Sequence, residues 1–212
     1  MKKFLTALRY FFLALGLILL EQLPTAFITA NQPFWQLLII ILTLLLVVAL
    51  TVLVAKRVHL LSPMSEFKLS RTITIALGGF LALTLVKMLG GILLVLQEGV
   101  RANTQNQAAI EQLPPLLLVV LTVIVAPIVE EIVMRGLLMG KVFNNSYLGL
   151  VISSLLFGLL HLPTNLGSWV IYGGMGFVLG FIYKKTKTLE YTIMVHFLNN
   201  ALGVVTMLLL TT

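Results

Sequence analysis

Long apolar runs separated by short polar stretches dominate this chain of 212 residues. A membrane-spanning helix needs about 20 predominantly apolar residues, and most of the runs reach or approach that length. The pattern predicts an all-α, polytopic transmembrane bundle of about seven or eight membrane helices. The predicted spans lie near residues 5–23, 34–55, 72–96, 114–134, 147–162, 168–183 and 189–211. Gly203 interrupts the last run, which forms either one helix or two short ones.

The polar stretches are too short for a separate domain, so we expect one integral membrane domain over residues 1–212 without a linker or soluble appendage. The first run follows Met1-Lys2-Lys3, as in a secretory signal. Its apolar core is longer than that of a signal and lacks a convincing cleavage site, which predicts a retained helix. Composition agrees, because 10% of residues are charged, against roughly 25% in soluble domains.

Lysine and arginine placement predicts the orientation, since short cytoplasmic loops carry an excess of these residues. If the spans alternate, one side holds Lys2, Lys3, Arg9, Lys56, Arg57, Lys68, Arg71, Lys141, Lys184, Lys185 and Lys187. The other side holds only Arg101. We therefore expect a multi-pass cell-membrane protein with a cytoplasmic N-terminus. The chain has a net charge of +7, and its basic residues flank the apolar stretches. This placement indicates contact with anionic membrane lipid and no nucleic-acid partner.

Two residue types are missing, and their absence removes whole classes of chemistry. The chain has no cysteine, which excludes disulfides, thiolate catalysis and cysteine-ligated metal. It also has no aspartate, because all seven acidic residues are glutamate. An intramembrane protease built on paired aspartates is therefore excluded.

The segment APIVEEIVMRG, residues 126–136, places three charges inside an apolar run. One ionisable side chain there costs roughly 2.5–3.5 kcal/mol on insertion scales, so such residues are usually paired or functional. Glu131 and Arg135 are four apart, with the acid first, which favours an ion pair on a helix. Glu130 lies about 100° around the helix and lacks that partner. We expect Arg135 to neutralise Glu131 and Glu130 to face a polar cavity as a general base. The alternative is a cluster at the cytoplasmic helix end, where Arg135 reaches the surface.

Two further apolar runs each carry a histidine that is paired with another residue at helical spacing. His161 follows Phe157 by four residues, and Asn200 follows His196 by four, so each pair shares a helix face. A single intramembrane histidine often only hydrogen-bonds a neighbouring helix, but three helices with polar groups indicate a cavity. His161 lies roughly 20 Å and His196 roughly 10 Å from the cytoplasmic helix starts, with Glu130 expected nearer that surface. A kink or tilt must bring them together, which predicts a cavity in the cytoplasmic half.

The three motifs Glu130-Glu131-x-x-x-Arg135, Phe157-x-x-x-His161 and His196-x-x-x-Asn200 occur in this order. In order and approximate spacing they resemble the CAAX protease and bacteriocin-processing (CPBP, or Abi) family of intramembrane endopeptidases. They are similar to those of the type II CAAX prenyl endopeptidases. The resemblance covers a protease-like core over about 114–205.

The resemblance implies a site of five catalytic and two supporting residues. By similarity, the catalytic residues are Glu130, Glu131, His161, His196 and Asn200, and the supporting residues are Arg135 and Phe157. Glu130 would activate the attacking water with help from His161. His196 and Asn200 would stabilise the oxyanion of the tetrahedral intermediate. The implied partners are membrane lipid and a peptide substrate, either of prenylated CAAX type or hydrophobic and bacteriocin-like.

The resemblance leaves two activation modes open, because the family is described both as glutamate proteases and as metalloproteases. The candidate ligands for zinc are Glu130, Glu131, His161 and His196, which leave a position for water. A His-Glu-x-x-His helix is absent, and Asn200 is a better oxyanion donor than zinc ligand. These points favour a glutamate-activated water.

Two functions from other classes also fit membrane helices with buried polar groups. A non-catalytic scaffold or bacteriocin self-immunity protein would keep the motifs for packing, although packing alone has no need of all of them. A small transporter would use intramembrane acids and histidines as a proton relay and predicts an internal repeat, which the sequence lacks. The pattern Gly176-x-x-x-Gly180 predicts close helix packing.

Overall fold

The computed structural model describes residues 1–29, 32–63 and 68–211, without the side chains of 210 and 211. The described residues form eight helices and no strand. The helices are α1 Lys2–Thr25, α2 Phe34–Arg57, α3 Leu69–Glu98, α4 Gln105–Ile110, α5 Pro115–Val142, α6 Tyr147–Leu160, α7 Leu166–Thr186 and α8 Leu189–Thr211. The predicted all-α class is confirmed, and the last run is one continuous helix.

Within the described ranges, six helices are long and apolar enough to cross a membrane. The chain is therefore an integral membrane protein. The predicted span at 147–162 is the exception, because α6 has 14 residues. At 1.5 Å per residue it is about 21 Å long, which is shorter than the roughly 30 Å of a bilayer core. It enters the bundle without reaching the length of a full span.

Helix α5 is the centre of the bundle. Half of its most apolar window is buried, against 22% to 44% in the other five long helices. It packs against α1, α2, α6 and α8. It continues to Val142, whereas the sequence pattern ended it at residue 134, just before a charged residue. Glu130 lies 12 residues before the Val142 end of this helix, and its predicted position nearer the cytoplasmic surface stays a prediction.

The α5 backbone changes its hydrogen-bond pattern around Pro127. Two π-helical stretches, Val120–Val125 and Ile132–Val142, flank one α-helical stretch, Ala126–Glu131. In the first stretch the Ala126 N–H bonds to the Leu121 carbonyl, five residues back. The carbonyl of Thr122 would then pair with the nitrogen of Pro127, which carries no hydrogen. Pro127 thus leaves a backbone acceptor inside the membrane for a side chain to use.

Glycines let α7 approach its neighbours closely, as the small-residue pattern predicts. A Cβ atom added at Gly176 would lie 2.9 Å from the Ser154 carbonyl oxygen of α6. One added at Gly180 would lie 2.5 Å from Leu150 Cδ1 on the same helix. The predicted close packing is confirmed. At Gly176 the obstacle is backbone, so the neighbour cannot turn away as a side chain can.

We expect Gly176→Ala to destabilise the protein by about 1–3 kcal/mol, because α6 and α7 must separate to admit the methyl group. Gly203 is the matched control, since it is also helical and a Cβ there meets no atom within 4 Å. Gly203→Ala should be neutral or stabilising by about 0.5–1 kcal/mol. Thermal unfolding of both variants in one detergent tests this contrast. Equal melting temperatures would contradict the packing role of Gly176.

Candidate active site

Glu131 and Arg135 form an ion pair inside α5. Arg135 Nη1 lies 3.0 Å from Glu131 Oε1, and both side chains are 0% exposed. The predicted i, i+4 pair is confirmed. Complete burial also rules out the alternative in which Arg135 reaches the membrane surface. The two charges neutralise each other where an unpaired charge would be strongly unfavourable.

Two other helices complete the environment of Arg135. Its Nη2 donates a hydrogen bond to the Gly176 carbonyl of α7 at 3.0 Å. Its guanidinium carbon lies 4.5 Å from the centre of the Phe157 ring of α6. A desolvated cation above an aromatic face is stabilised by the ring quadrupole. Arg135 therefore ties α5 to α6 and α7 as well as orienting Glu131.

His196 joins this cluster from α8. Its Nδ1 lies 3.0 Å from Glu131 Oε1, and the residue is 2% exposed. When Glu131 is ionised it only accepts, so Nδ1 carries the hydrogen and donates it. The remaining ring nitrogen, Nε2, is then free for chemistry. A carboxylate that holds an imidazole by Nδ1 is also the orienting arrangement of hydrolase triads.

His161 lies at the C-terminal end of α6 and is held in a similar way. Its Nδ1 is 2.8 Å from the Phe157 carbonyl oxygen. A carbonyl only accepts, so Nδ1 carries the hydrogen and Nε2 is again the free nitrogen. The Phe157 ring lies between the two imidazoles, with centroids 4.7 Å from His161 and 5.8 Å from His196. The second motif on α6 and the third motif on α8 therefore meet around Phe157.

Glu130 differs from its neighbour because neither an ion pair nor a hydrogen bond holds its side chain among the described residues, whereas Glu131 has both through Oε1. The residue is half-buried, and its Oε2 is inaccessible without a hydrogen bond among the described residues. The same holds for Oε2 of Glu21, a residue of α1 that is 2% exposed. Glu21 is close enough for its charge to act on Glu130. Sequence reasoning missed Glu21, although an acid in an apolar run is the same signal that revealed Glu130.

Asn200 is half-buried on α8 and oriented at both ends of its amide. Its Nδ2 donates to the Thr122 carbonyl at 2.9 Å, which is the acceptor that Pro127 leaves open. Its Oδ1 accepts from Nδ2 of Asn199 at 2.9 Å. One N–H of Asn200 remains for another acceptor. The sequence did not reveal that Asn199 holds this amide, because adjacent residues on a helix point in directions about 100° apart.

Residues 112–202 match the family model described as type II CAAX prenyl endopeptidase Rce1-like. The match contains all three motifs and every residue of the cluster around Phe157. This part of the chain is similar to the Rce1-like family.

Relatives of the chain occur in several bacteria. The chain is 32% identical to UPF0177 protein YvdC of Lactococcus lactis over 62% of this chain and 52% of the relative. It is 34% identical to the putative membrane peptidase YdiL of Bacillus subtilis over 49% and 42%. It is 31% identical to the membrane-embedded CAAX protease MroQ of Staphylococcus aureus over 63% and 58%. The chain thus spans about half the length of these relatives. No solved structure matches the chain.

The candidate zinc ligands were compared with the arrangement of the described side chains. Among the described residues, no three histidine, aspartate or glutamate side chains are placed to hold one ion. Glu131 is already engaged by Arg135 and His196. The zinc set Glu130, Glu131, His161 and His196 therefore does not fit this arrangement.

Arg135→Gln should destabilise the protein by roughly 3–5 kcal/mol, because Glu131 would keep a buried charge without its partner. Arg101→Gln is the control, since Arg101 is exposed and outside the cluster. Thermal unfolding of the purified variants measures both effects. A melting temperature of Arg135→Gln equal to that of Arg101→Gln would show that the ion pair does not stabilise the fold.

Proposed function

We propose that the chain is an intramembrane endopeptidase that hydrolyses peptide bonds of membrane-associated peptides. The attacking water would lose its proton to Glu130. The single observation that carries this proposal is the unequal state of two adjacent acids. Glu131 is fixed by Arg135 and His196, while Glu130 has neither an ion pair nor a hydrogen bond among the described residues. The match of residues 112–202 to the Rce1-like family model supports the same reaction class.

The two histidines and Asn200 would handle the charge that develops on the substrate. His196 already donates through Nδ1 to Glu131, so it donates to an oxyanion only when Nε2 is also protonated. The adjacent Glu131 carboxylate stabilises that imidazolium, as in hydrolase triads. The free N–H of Asn200 would be the second donor. Neutral His161 has an accepting Nε2 and would assist Glu130 in orienting the water.

An apolar cleft between α5 and α8 supports a hydrophobic substrate. It is lined by Pro127 and Ile128 of α5 and by Ile193 and Phe197 of α8, among others. These are the two helices that carry Glu130 and His196. A peptide segment or lipid-modified tail lying in this cleft would run alongside the catalytic side chains. We therefore propose substrates that partition into the membrane, either prenylated CAAX-type peptides or hydrophobic bacteriocin-like peptides.

The orientation in the membrane stays a proposal from the lysine and arginine bias. With the N-terminus in the cytoplasm, α5 ends on the cytoplasmic side at Val142. Glu130 then lies inside the span, 12 residues before that end. This depth is consistent with a substrate that reaches the site from within the membrane.

Glu130→Gln should lower cleavage by roughly 100- to 10,000-fold, since an amide cannot accept the proton of water. Purified protein in detergent is given a fluorogenic prenylated peptide and, separately, a pool of unmodified hydrophobic peptides, and product masses are read. Glu111→Gln, an exposed acid outside the site, should cleave as wild type does.

Cleavage by Glu130→Gln at the wild-type rate would remove Glu130 as the base. The absence of cleavage by folded wild type in both peptide sets would instead favour the non-catalytic scaffold or immunity function. A product from the prenylated peptide alone would show that the lipid group is recognised.

Strong chelators should leave cleavage unchanged, because no three histidine or glutamate side chains among the described residues are placed to hold one ion. The purified protein should also contain far less than one zinc per chain by elemental mass spectrometry. Stoichiometric zinc, with activity lost on chelation and restored by added zinc, would establish the metal-dependent alternative.

A further inference from the structure

Tyr172 of α7 stacks on His161. The ring centroids are 4.4 Å apart and the ring planes differ by 17°. Tyr172 is 8% exposed and belongs to none of the three motifs. Phe157 contacts the same imidazole from α6 at a centroid distance of 4.7 Å. Two aromatic rings from two helices therefore contact His161.

The Tyr172 hydroxyl is anchored by the segment that precedes α4. It lies 2.8 Å from the Thr104 hydroxyl and 3.3 Å from Asn106 Nδ2. Thr104 is 3% exposed and caps α4 by accepting from the Gln107 N–H at 3.1 Å. Its own hydroxyl hydrogen thus remains to be donated to Tyr172. The anchor lies between α3 and α5 in the chain, outside the segment that matches the family model.

These contacts fix two separate degrees of freedom of His161. The hydrogen bond from Nδ1 to the Phe157 carbonyl fixes one edge of the ring. The Tyr172 stack fixes the plane of the ring. With both constraints, the direction of Nε2 is determined. Without the stack, only the Nδ1 hydrogen bond and the tilted Phe157 ring would hold the imidazole.

We propose that Tyr172, anchored by Thr104 and Asn106, is a positioning residue that holds His161 in the orientation used for hydrolysis. The proposal rests on the proposed function for its effect on turnover. The contact itself is independent of that function. The test therefore needs one measurement that requires no substrate and one that does.

The first measurement is the rate at which diethyl pyrocarbonate modifies each histidine, read by peptide mass spectrometry. The chain has three histidines, and His59 is exposed, so it is an internal reference. Tyr172→Leu should speed modification of His161 by about two- to tenfold, which corresponds to the loss of one aromatic contact. The modification rate of His59 should not change.

Further variants separate the ring from its anchor. Tyr172→Phe keeps the ring and removes the hydroxyl, while Thr104→Val removes the anchor and leaves Tyr172 intact. Both should increase His161 modification less than Tyr172→Leu does. They also keep the test informative if Tyr172→Leu does not fold. Tyr183→Leu is the matched control, since Tyr183 is another buried tyrosine about three turns along α7.

The second measurement is cleavage kinetics of the folded variants. Tyr172→Leu should lower kcat by about two- to tenfold with little change in KM. Tyr172→Phe should keep most of the wild-type kcat. If Tyr172→Leu leaves both the rate of His161 modification and kcat at their wild-type values, the positioning role is overturned. Tyr172→Leu could speed His161 modification although even the wild-type protein cleaves no substrate. That result would support the positioning role and contradict the endopeptidase function.

Discussion

The buried ion pair between Glu131 and Arg135 is the interaction on which the rest of this structure depends. Each charge alone would cost several kcal/mol in the centre of a membrane bundle. Together they are fully buried at 3.0 Å. Their partners lie on three other helices, because Phe157 and Gly176 contact Arg135 and His196 contacts Glu131. One pair thus fixes how α5, α6, α7 and α8 meet.

The same pair makes two adjacent glutamates chemically different. Glu131 has its charge balanced and its Oε1 shared between a guanidinium and an imidazole. Glu130 points elsewhere on the helix and has neither an ion pair nor a hydrogen bond among the described residues, and the charge of Glu21 on α1 acts on it. An acid that is not committed to a structural contact is free to exchange a proton. The ion pair is therefore both a packing element and the reason why a base is available.

Much of this was predictable from residue spacing, and the failures have a common cause. The helices, the Glu131–Arg135 pair and the close approach at Gly176 follow from local periodicity. The C-terminal end of α5 does not, because a charged residue such as Arg135 suggests a membrane edge until its partners are known. The hydrogen bond between Asn200 and Thr122 depends on how Pro127 disrupts the backbone of α5, three helices before α8 in the chain. The approach of Glu21 and Tyr172 to the site depends on contacts between distant segments, which spacing does not report.

Thermal unfolding of Glu130→Gln and Glu131→Gln in the same detergent tests whether Glu131, and not Glu130, makes the contact that stabilises the fold. The account predicts that Glu131→Gln melts at a clearly lower temperature, because Arg135 loses its counter-ion. It predicts that Glu130→Gln melts at or above the wild-type temperature, because a neutral amide replaces an unpartnered buried acid. Equal melting temperatures, or a larger decrease in melting temperature for Glu130→Gln, would contradict the assignment of the structural contact to Glu131 and of the free carboxylate to Glu130.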